Sequence, residues 1–152
     1  MMEKSTFEEQ LEKYGQLCYP NVGVSMMPLL RQGRDLMVIQ RQPCRRYDAV
    51  LFRRPGVAGR GAYVLHRILR CNDDGTYWIV GDNCVTGETV RQENILGVLT
   101  AVVRDGKKTV KVTDPAMRVY VFLWGRLYPI RIAALRMLHL AGRVLRKLGL
   151  RK

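Results

Sequence analysis

The chain offers few side chains for nucleophilic catalysis, because its 152 residues include only two serines and two histidines. Ser5 stands three residues before Glu8, a spacing typical of a helix capping box. His139 belongs to a basic segment near the end of the sequence. Ser25 and His66 therefore remain as the candidate nucleophile and the candidate general base, the two groups that acyl transfer to a hydroxyl requires.

The residues around Ser25 predict a constrained turn. Gly23 precedes the serine and Pro28 follows it, and these two residue types permit or restrict backbone angles in ways that others do not. A serine on such a turn can lie beside a free backbone N–H that would stabilise an oxyanion. The alternative is a loop serine with no catalytic function, and a motif this short leaves both interpretations open.

His66 lies in an apolar segment, residues 62–69, whose composition predicts a β-strand. Alternation along a strand places Val64, His66 and Ile68 on one face and Arg67 on the other. A histidine between two branched aliphatic residues is either a core histidine with satisfied hydrogen bonds or a base at the edge of a cleft. The strand pattern alone favours the core.

Five segments of the chain, taken together and in order, resemble the successive conserved boxes of signal peptidases, whose superfamily also contains the self-cleaving SOS repressors. The resemblance extends from about Gly23 to Val103, which is more than half of the chain. The segments are Ser25-Met26-Met27-Pro28, Gly33-Arg34-Asp35, Tyr47-Asp48-Ala49-Val50-Leu51-Phe52, Val64-Leu65-His66-Arg67-Ile68 and Gly81-Asp82-Asn83.

This resemblance implies a serine endopeptidase with a mainly antiparallel, signal-peptidase-like β fold and no cofactor or metal. One branch of the family uses a Ser–Lys dyad, and another places a histidine where that lysine stands. His66 occupies the base position, so the chain is similar to the Ser–His branch. Independently, no lysine occurs between Lys13 and Lys107, so a lysine base has no candidate in the predicted β region.

The resemblance also assigns carboxylates that assist His66. Asp82 matches the first acidic position of the family, and Glu88 stands six residues later, where the family has an aspartate. Either carboxylate could hold the tautomer of His66, and the sequence leaves that choice open. Outside the resemblance, Gly-Asp-Asn is a common turn sequence and indicates only that the chain bends.

By the same resemblance, a polypeptide substrate lies as an extended strand beside Ser25, with small side chains in shallow pockets. Gly23, Met26 and Met27 are the candidate substrate-binding residues. Gly23 stands where relatives often carry a hydroxyl that helps to bind the oxyanion, which leaves that task to backbone N–H groups. The alternative for the two methionines is packing in the hydrophobic core.

The pattern of apolar residues predicts a single domain in three parts: an N-terminal helix at 1–19, a β catalytic domain at 20–114 and a basic amphipathic helical tail at 115–152. A turn is predicted at residues 72–75, and Pro129 is expected to split the tail into two helices. The segments Arg41 to Arg46 and Arg53-Arg54-Pro55 are interpreted as solvated loops. The predicted strands are residues 35–40, 47–53, 62–69, 76–80, 95–103 and 109–112.

Positive charge is concentrated in the tail. The chain has a formal charge of +13, and residues 115–152 carry nine Lys and Arg with no acidic residue. This pattern indicates either an in-plane anchor on an anionic membrane surface or a helix whose apolar stripe packs on the β domain. Nucleic acid is not an expected partner, because the basic residues lie on an amphipathic helix and no reader motif accompanies them.

The remaining features bound the location and the competing functions. The acidic start of the chain lacks the apolar region of a secretory signal, and no uncharged stretch approaches about 20 residues, so we expect a cytoplasmic or membrane-peripheral protein. The four cysteines lack metal-site spacing and are expected to be free. The main alternative to a peptidase is an inactive peptidase fold that serves as a peptide-binding or regulatory module at a membrane.

Overall fold

The computed structural model describes residues 6–59, 62–147 and 149. In this part of the chain the fold is a mainly antiparallel β-sheet of eight strands, preceded by one helix and followed by two. The elements are α1 (Phe7–Tyr14), β1 (Gln16–Pro20), β2 (Asp35–Gln40), β3 (Ala49–Arg53), β4 (Tyr63–Cys71), β5 (Thr76–Val80), β6 (Gly87–Arg91), a short 3₁₀ helix (Gln92–Asn94), β7 (Ile95–Arg104), β8 (Lys108–Lys111), α2 (Pro115–Arg126) and α3 (Tyr128–Lys147).

The strand order is β1-β2-β7-β3-β4-β5-β6, with β8 paired to β7. All of these pairs are antiparallel, as the short strands separated by turns predict. The six predicted strands are confirmed with small shifts at their ends, and the turn at 72–75 joins β4 to β5. Two strands, β1 and β6, were not predicted.

The start of α1 differs from the prediction by one residue. Ser5 lies outside the described residues, and Thr6 is the N-cap, with its hydroxyl accepting a hydrogen bond from the Glu9 N–H at 3.2 Å. The Glu9 carboxylate in turn accepts one from the Thr6 N–H at 2.8 Å. Glu8 lies one position too early to complete this capping box, and its carboxylate instead accepts a hydrogen bond from the Tyr63 hydroxyl at 2.6 Å.

The predicted continuation of the N-terminal helix toward residue 19 is wrong. Gly15 adopts a left-handed conformation with φ of 68° and ends α1, and its N–H bonds the Leu11 carbonyl. Left-handed glycine is a common helix terminator. The following residues, Gln16–Pro20, form β1 at the edge of the sheet, where a proline is tolerated because no inner partner needs its missing N–H.

The two faces of the sheet bury separate apolar clusters. The larger cluster lies between the sheet, α1, the loop 21–34 and α2, and it includes Leu65 from β4. The smaller includes Phe52 from β3 and Ile68 from β4. This division confirms the predicted alternation along β4, and it places His66 and Arg67 on opposite faces of the sheet.

Asp114 and Pro115 begin the C-terminal helices as predicted, and the break beside Pro129 is also confirmed. The first helix, α2, packs on the β domain: Met117 belongs to the larger apolar cluster, and Gly125 lies against the ring of Tyr47, which precedes β3. No helix of the described residues is long and apolar enough to cross a membrane.

Candidate active site

Ser25 lies on a turn in the loop 21–34, which connects β1 to β2. The turn is closed by a hydrogen bond from the Met27 N–H to the Val24 carbonyl at 3.1 Å. Gly23 has a φ of 88°, a left-handed angle that favours glycine, and its N–H bonds the Gln32 side chain at 3.0 Å. The half-buried Ser25 is therefore carried on a loop whose own hydrogen bonds fix its path.

The turn after β5 holds the Ser25 segment against the sheet. The Asn83 N–H donates to the Ser25 carbonyl at 2.7 Å, and the Asn83 side-chain amide donates to the Val24 carbonyl at 3.2 Å. These two bonds join segments that are almost sixty residues apart in the chain. Asn83, from the Gly81-Asp82-Asn83 segment, thus positions the candidate nucleophile through its backbone.

Gly81 marks the point where the candidate residues meet. A Cβ built on Gly81 would lie 2.7 Å from the Ser25 carbonyl oxygen, 3.0 Å from His66 Nε2 and 2.6 Å from Cys84 Sγ. The distances to the Ser25 oxygen and to Cys84 Sγ are shorter than non-bonded atoms tolerate, and the distance to His66 Nε2 is a tight contact, so a side chain at position 81 would displace its neighbours. The structure therefore brings the Ser25 segment and the imidazole of His66 together around a glycine that leaves room for both.

His66 is a buried histidine with an incomplete set of hydrogen bonds. Its side chain is 9% exposed, its ring lies beside Phe52, and its Nδ1 has no hydrogen-bond partner in the described part of the chain. Burial lowers the pKa of His66 below its ordinary value, and the charge of Arg54 lowers it further, while Glu88 and Asp82 oppose these effects. A neutral imidazole at neutral pH is the form that accepts a proton.

Glu88 is the carboxylate nearest to His66. Its Oε1 lies 3.7 Å from His66 Nδ1, which is longer than a hydrogen bond. The same carboxylate is held by Arg54, whose Nε donates at 2.9 Å and whose second guanidinium nitrogen donates to Oε1. Arg54 thus fixes the orientation of Glu88 beside the imidazole. From the sequence, Arg54 was interpreted as part of a solvated loop, and this contact with Glu88 was missed.

Asp82 has different partners. Its carboxylate accepts two hydrogen bonds from Arg67, each at 2.7 Å, and a third from the Tyr120 hydroxyl at 2.9 Å. Asp82 and Arg67 are almost completely buried, and the backbone carbonyl of Asp82 accepts a bond from the Trp124 indole at 3.1 Å. Asp82 therefore connects the sheet to α2, and Glu88 is the acid that faces His66 Nδ1.

Backbone donors are free beside Ser25. Within the described segments, the N–H groups of Ser25 and Met26 have no hydrogen-bond acceptor, whereas the Asn83 N–H is occupied by the Ser25 carbonyl. Unpaired N–H groups at a turn are what an oxyanion requires. Position 23 is a glycine and supplies no hydroxyl for the oxyanion. The free N–H groups agree with the expectation that the backbone near Ser25 would stabilise it instead.

The two methionines after Ser25 have different environments. Met26 is 1% exposed and belongs to the larger apolar cluster, so its side chain packs in the core, whereas Met27 is half-buried. The same loop borders an apolar cavity of about 450 Å³, which the search of the sequence for chemical groups missed. Its lining comprises Phe7, Tyr19, Pro20, Asn21, Val22, Met37, Leu51, Tyr63 and Leu65.

Metal ligands are not grouped in the described residues, where no three His, Cys, Asp or Glu side chains converge. All four cysteines are free thiols, and Cys84 is the one beside the Gly81 contact. Burial raises the pKa of the Cys84 thiol, which disfavours the thiolate that a nucleophilic cysteine needs. Ser25 and His66 thus remain the candidates for nucleophile and base.

Comparisons with models of protein families, with curated proteins and with solved structures return no match to this chain.

Proposed function

We propose that this protein is a serine endopeptidase in which Ser25 is the nucleophile and His66 the general base, on a fold like that of signal peptidases. The observation that supports this most strongly is the convergence at Gly81. The Ser25 carbonyl oxygen and His66 Nε2 both lie within 3.0 Å of the position that a Cβ on Gly81 would occupy. The chain contains only one other serine, Ser5, and one other histidine, His139, which lies on α3.

The proposed reaction begins with attack of Ser25 Oγ on a peptide carbonyl. His66 Nε2 accepts the hydroxyl proton, and the free N–H groups of Ser25 and Met26 stabilise the oxyanion. The C–N bond then breaks as the imidazolium returns its proton to the leaving amine. Water, deprotonated by His66, releases the acyl group and regenerates the serine.

Glu88 has a supporting function in this proposal. Its carboxylate lies on the Nδ1 side of His66, so it stabilises the imidazolium that forms on Nε2 protonation. The 3.7 Å separation shortens to a hydrogen bond when substrate binds, as apo catalytic contacts commonly do. Asp82 instead maintains the turn that carries Gly81 and Asn83, through its bonds to Arg67 and Tyr120.

The proposed substrate is a polypeptide in extended conformation beside the Ser25 turn. The loop residues Val22 and Val24 are exposed on either side of Gly23, and Val22 also lines the apolar cavity. An apolar or small side chain at the cleavage site fits such surroundings better than a charged one.

Reaction with a serine-directed phosphonate probe tests the proposal. The Ser5→Ala variant is a matched control, because it removes the only other serine and must still be labelled. We expect one adduct by intact mass in the wild-type protein and in Ser5→Ala, and none in Ser25→Ala. Labelling by His66→Gln should be slower by about 10²- to 10⁴-fold, the usual contribution of a general base.

One observation favours the second candidate, an inactive peptidase fold that binds peptides. His66 Nδ1 is unpartnered, and in the described residues no hydrogen bond joins the Ser25 hydroxyl to His66. The same experiment separates the two functions. Absence of an adduct in the wild-type protein, both in detergent and on vesicles, would reject the peptidase, and titration with unlabelled peptides would then test for binding.

A further inference from the structure

The C-terminal helices expose an unusual amount of apolar surface. On α3, Met137 is 71% exposed and Ile130 is 68% exposed, and four further large apolar side chains of this helix are exposed as well. The six residues are Ile130, Met137, Leu138, Leu140, Val144 and Leu145. Single exposed apolar residues are ordinary in proteins, but a series of them along one helix marks a binding surface.

The exposed apolar residues of α3 are not the residues that pack on the domain. Ile132 is the buried side chain of this helix, and Arg131 lies over the rings of Trp124 and Tyr128. At 3.6 residues per turn, Ile132 projects from the side of α3 opposite to Met137. The alternative expectation, that the apolar stripe packs on the β domain, is therefore wrong, because the stripe residues are exposed and the buried Ile132 lies on another side of the helix.

The outer side of α2 has the same character. Val119, Phe122 and Leu123 are exposed, whereas Met117 and Gly125 on the inner side are buried. Both helices thus use one side for the fold and leave apolar residues on the other. We call the large exposed apolar residues of α2 and α3 together the docking face; they are Val119, Phe122, Leu123, Ile130, Met137, Leu138, Leu140, Val144 and Leu145.

The charge around the docking face identifies the kind of partner that it fits. Residues 115–147 carry seven Lys and Arg and no acidic residue. The guanidinium of Arg126 lies over the Phe122 ring at 5.4 Å, and Arg136, Arg143 and Arg146 are exposed along α3. Apolar side chains with arginines at their borders match an anionic headgroup layer over acyl chains.

We propose that the docking face lies in the plane of an anionic lipid bilayer, with its apolar residues in the interface and its arginines at the headgroups. Charges recur along the whole of α3, from Arg131 to Lys147, so the helix lies along the surface. A double-stranded nucleic acid would leave the apolar residues exposed, and a globular protein partner would need acidic groups to match seven cations. The inference does not depend on peptidase activity.

Co-sedimentation with lipid vesicles tests the proposal. We expect the protein to sediment with vesicles of phosphatidylcholine and phosphatidylglycerol, to bind pure phosphatidylcholine weakly, and to dissociate as salt is added. Met137→Glu should weaken partitioning about tenfold or more, because it introduces a charge into the apolar interface. Val57→Glu is the matched control, since Val57 is an exposed valine of the β domain.

A second variant, at Arg136 and Arg143, tests whether the arginines contribute to binding through their attraction to anionic headgroups. The double change Arg136→Gln and Arg143→Gln should reduce the preference for anionic over neutral vesicles while far-UV circular dichroism stays unchanged. Equal sedimentation of Met137→Glu and the wild-type protein would overturn the proposal. So would binding to duplex DNA without binding to vesicles, or a stable dimer in solution that Met137→Glu dissociates.

Discussion

His66 and Arg67 are neighbours on β4, and their side chains enter opposite faces of the sheet with very different hydrogen bonding. Arg67 is 2% exposed, and its guanidinium is bonded to both Asp82 oxygens and to the Tyr47 carbonyl at 2.8 Å. His66 is also buried, yet its Nδ1 is unpartnered. A buried polar group with all its hydrogen bonds made stabilises one structure, whereas an unsatisfied one is uncommon and requires an explanation. In the proposed mechanism the partner of Nδ1 is Glu88, which bonds it only when substrate binds.

The same contrast separates the two carboxylates. Asp82 accepts three side-chain hydrogen bonds in a buried network that joins β4, the turn after β5 and α2. Glu88 is about one-third exposed and is held by a single side chain, that of Arg54. From the sequence, both Asp82 and Glu88 are candidates for the acid that supports His66. Only their partners in the folded protein distinguish the structural acid, Asp82, from Glu88, which can stabilise a protonated imidazole.

Arg67→Met should produce the largest loss of stability. The substitution leaves the Asp82 carboxylate buried without its cation, which typically costs about 3–5 kcal/mol of unfolding free energy. Arg54→Met is the matched control, because the Arg54–Glu88 pair is partly exposed and should cost less than about 1 kcal/mol. Urea denaturation of the two variants measures the difference, and equal costs would contradict the distinction between the two networks.

Gly81→Ala should impair the site more than the fold. The new Cβ would displace the Ser25 carbonyl, His66 Nε2 or Cys84 Sγ, and a displacement of about 1 Å in a catalytic pair can reduce the rate about 100-fold. We expect labelling of Ser25 by the phosphonate probe to fall by that order. Gly142→Ala, on α3 with open space around its Cα, should label normally and add up to about 1 kcal/mol of stability.

Arg54→Gln and Glu88→Gln should move the pH dependence of labelling in opposite directions. Arg54 lowers the pKa of His66 and Glu88 raises it, so removal of Arg54 shifts the acidic limb to higher pH and removal of Glu88 shifts it to lower pH. The rate at neutral pH should change only a few-fold for Arg54→Gln, because the base itself remains.

The imidazole signals of the two histidines in NMR report these shifts directly. A His139→Gln background assigns the remaining signal to His66. Shifts of both variants in the same direction would contradict the opposite charge effects assigned here to Arg54 and Glu88.

The smallest expected effect is the contribution of His66 to stability against acid. The folded state lowers the pKa of His66, so the unfolded state binds the additional proton first as the pH falls. Stability is therefore retained above about pH 6.5 and decreases below it. His66→Gln should flatten the difference in urea midpoint between pH 7 and pH 5.5, and an unchanged difference would exclude His66 as its source.

Local patterns predicted most of the sheet and left two strands out. Residues 35–40 and 95–103 show either alternating or continuous apolar residues over most of their length, because they form inner strands with buried faces. Gly87–Arg91 is short and polar and pairs only with β5 at the sheet edge, so no apolar pattern indicates it. Gln16–Pro20 was assigned to a helix because the termination at Gly15 depends on one backbone angle.

The sequence by itself determined which groups were available for chemistry, namely one serine on a Gly–Pro turn, one histidine in a strand, and two nearby acids. It also determined the opposite faces of His66 and Arg67, because strand alternation is a local property. The tertiary structure alone decided that Asn83 holds the Ser25 carbonyl, that Glu88 rather than Asp82 faces the imidazole, and that the apolar stripe of α3 stays exposed while Ile132 is buried. These outcomes depend on contacts between residues distant in the chain, and no local pattern of residue types encodes such contacts.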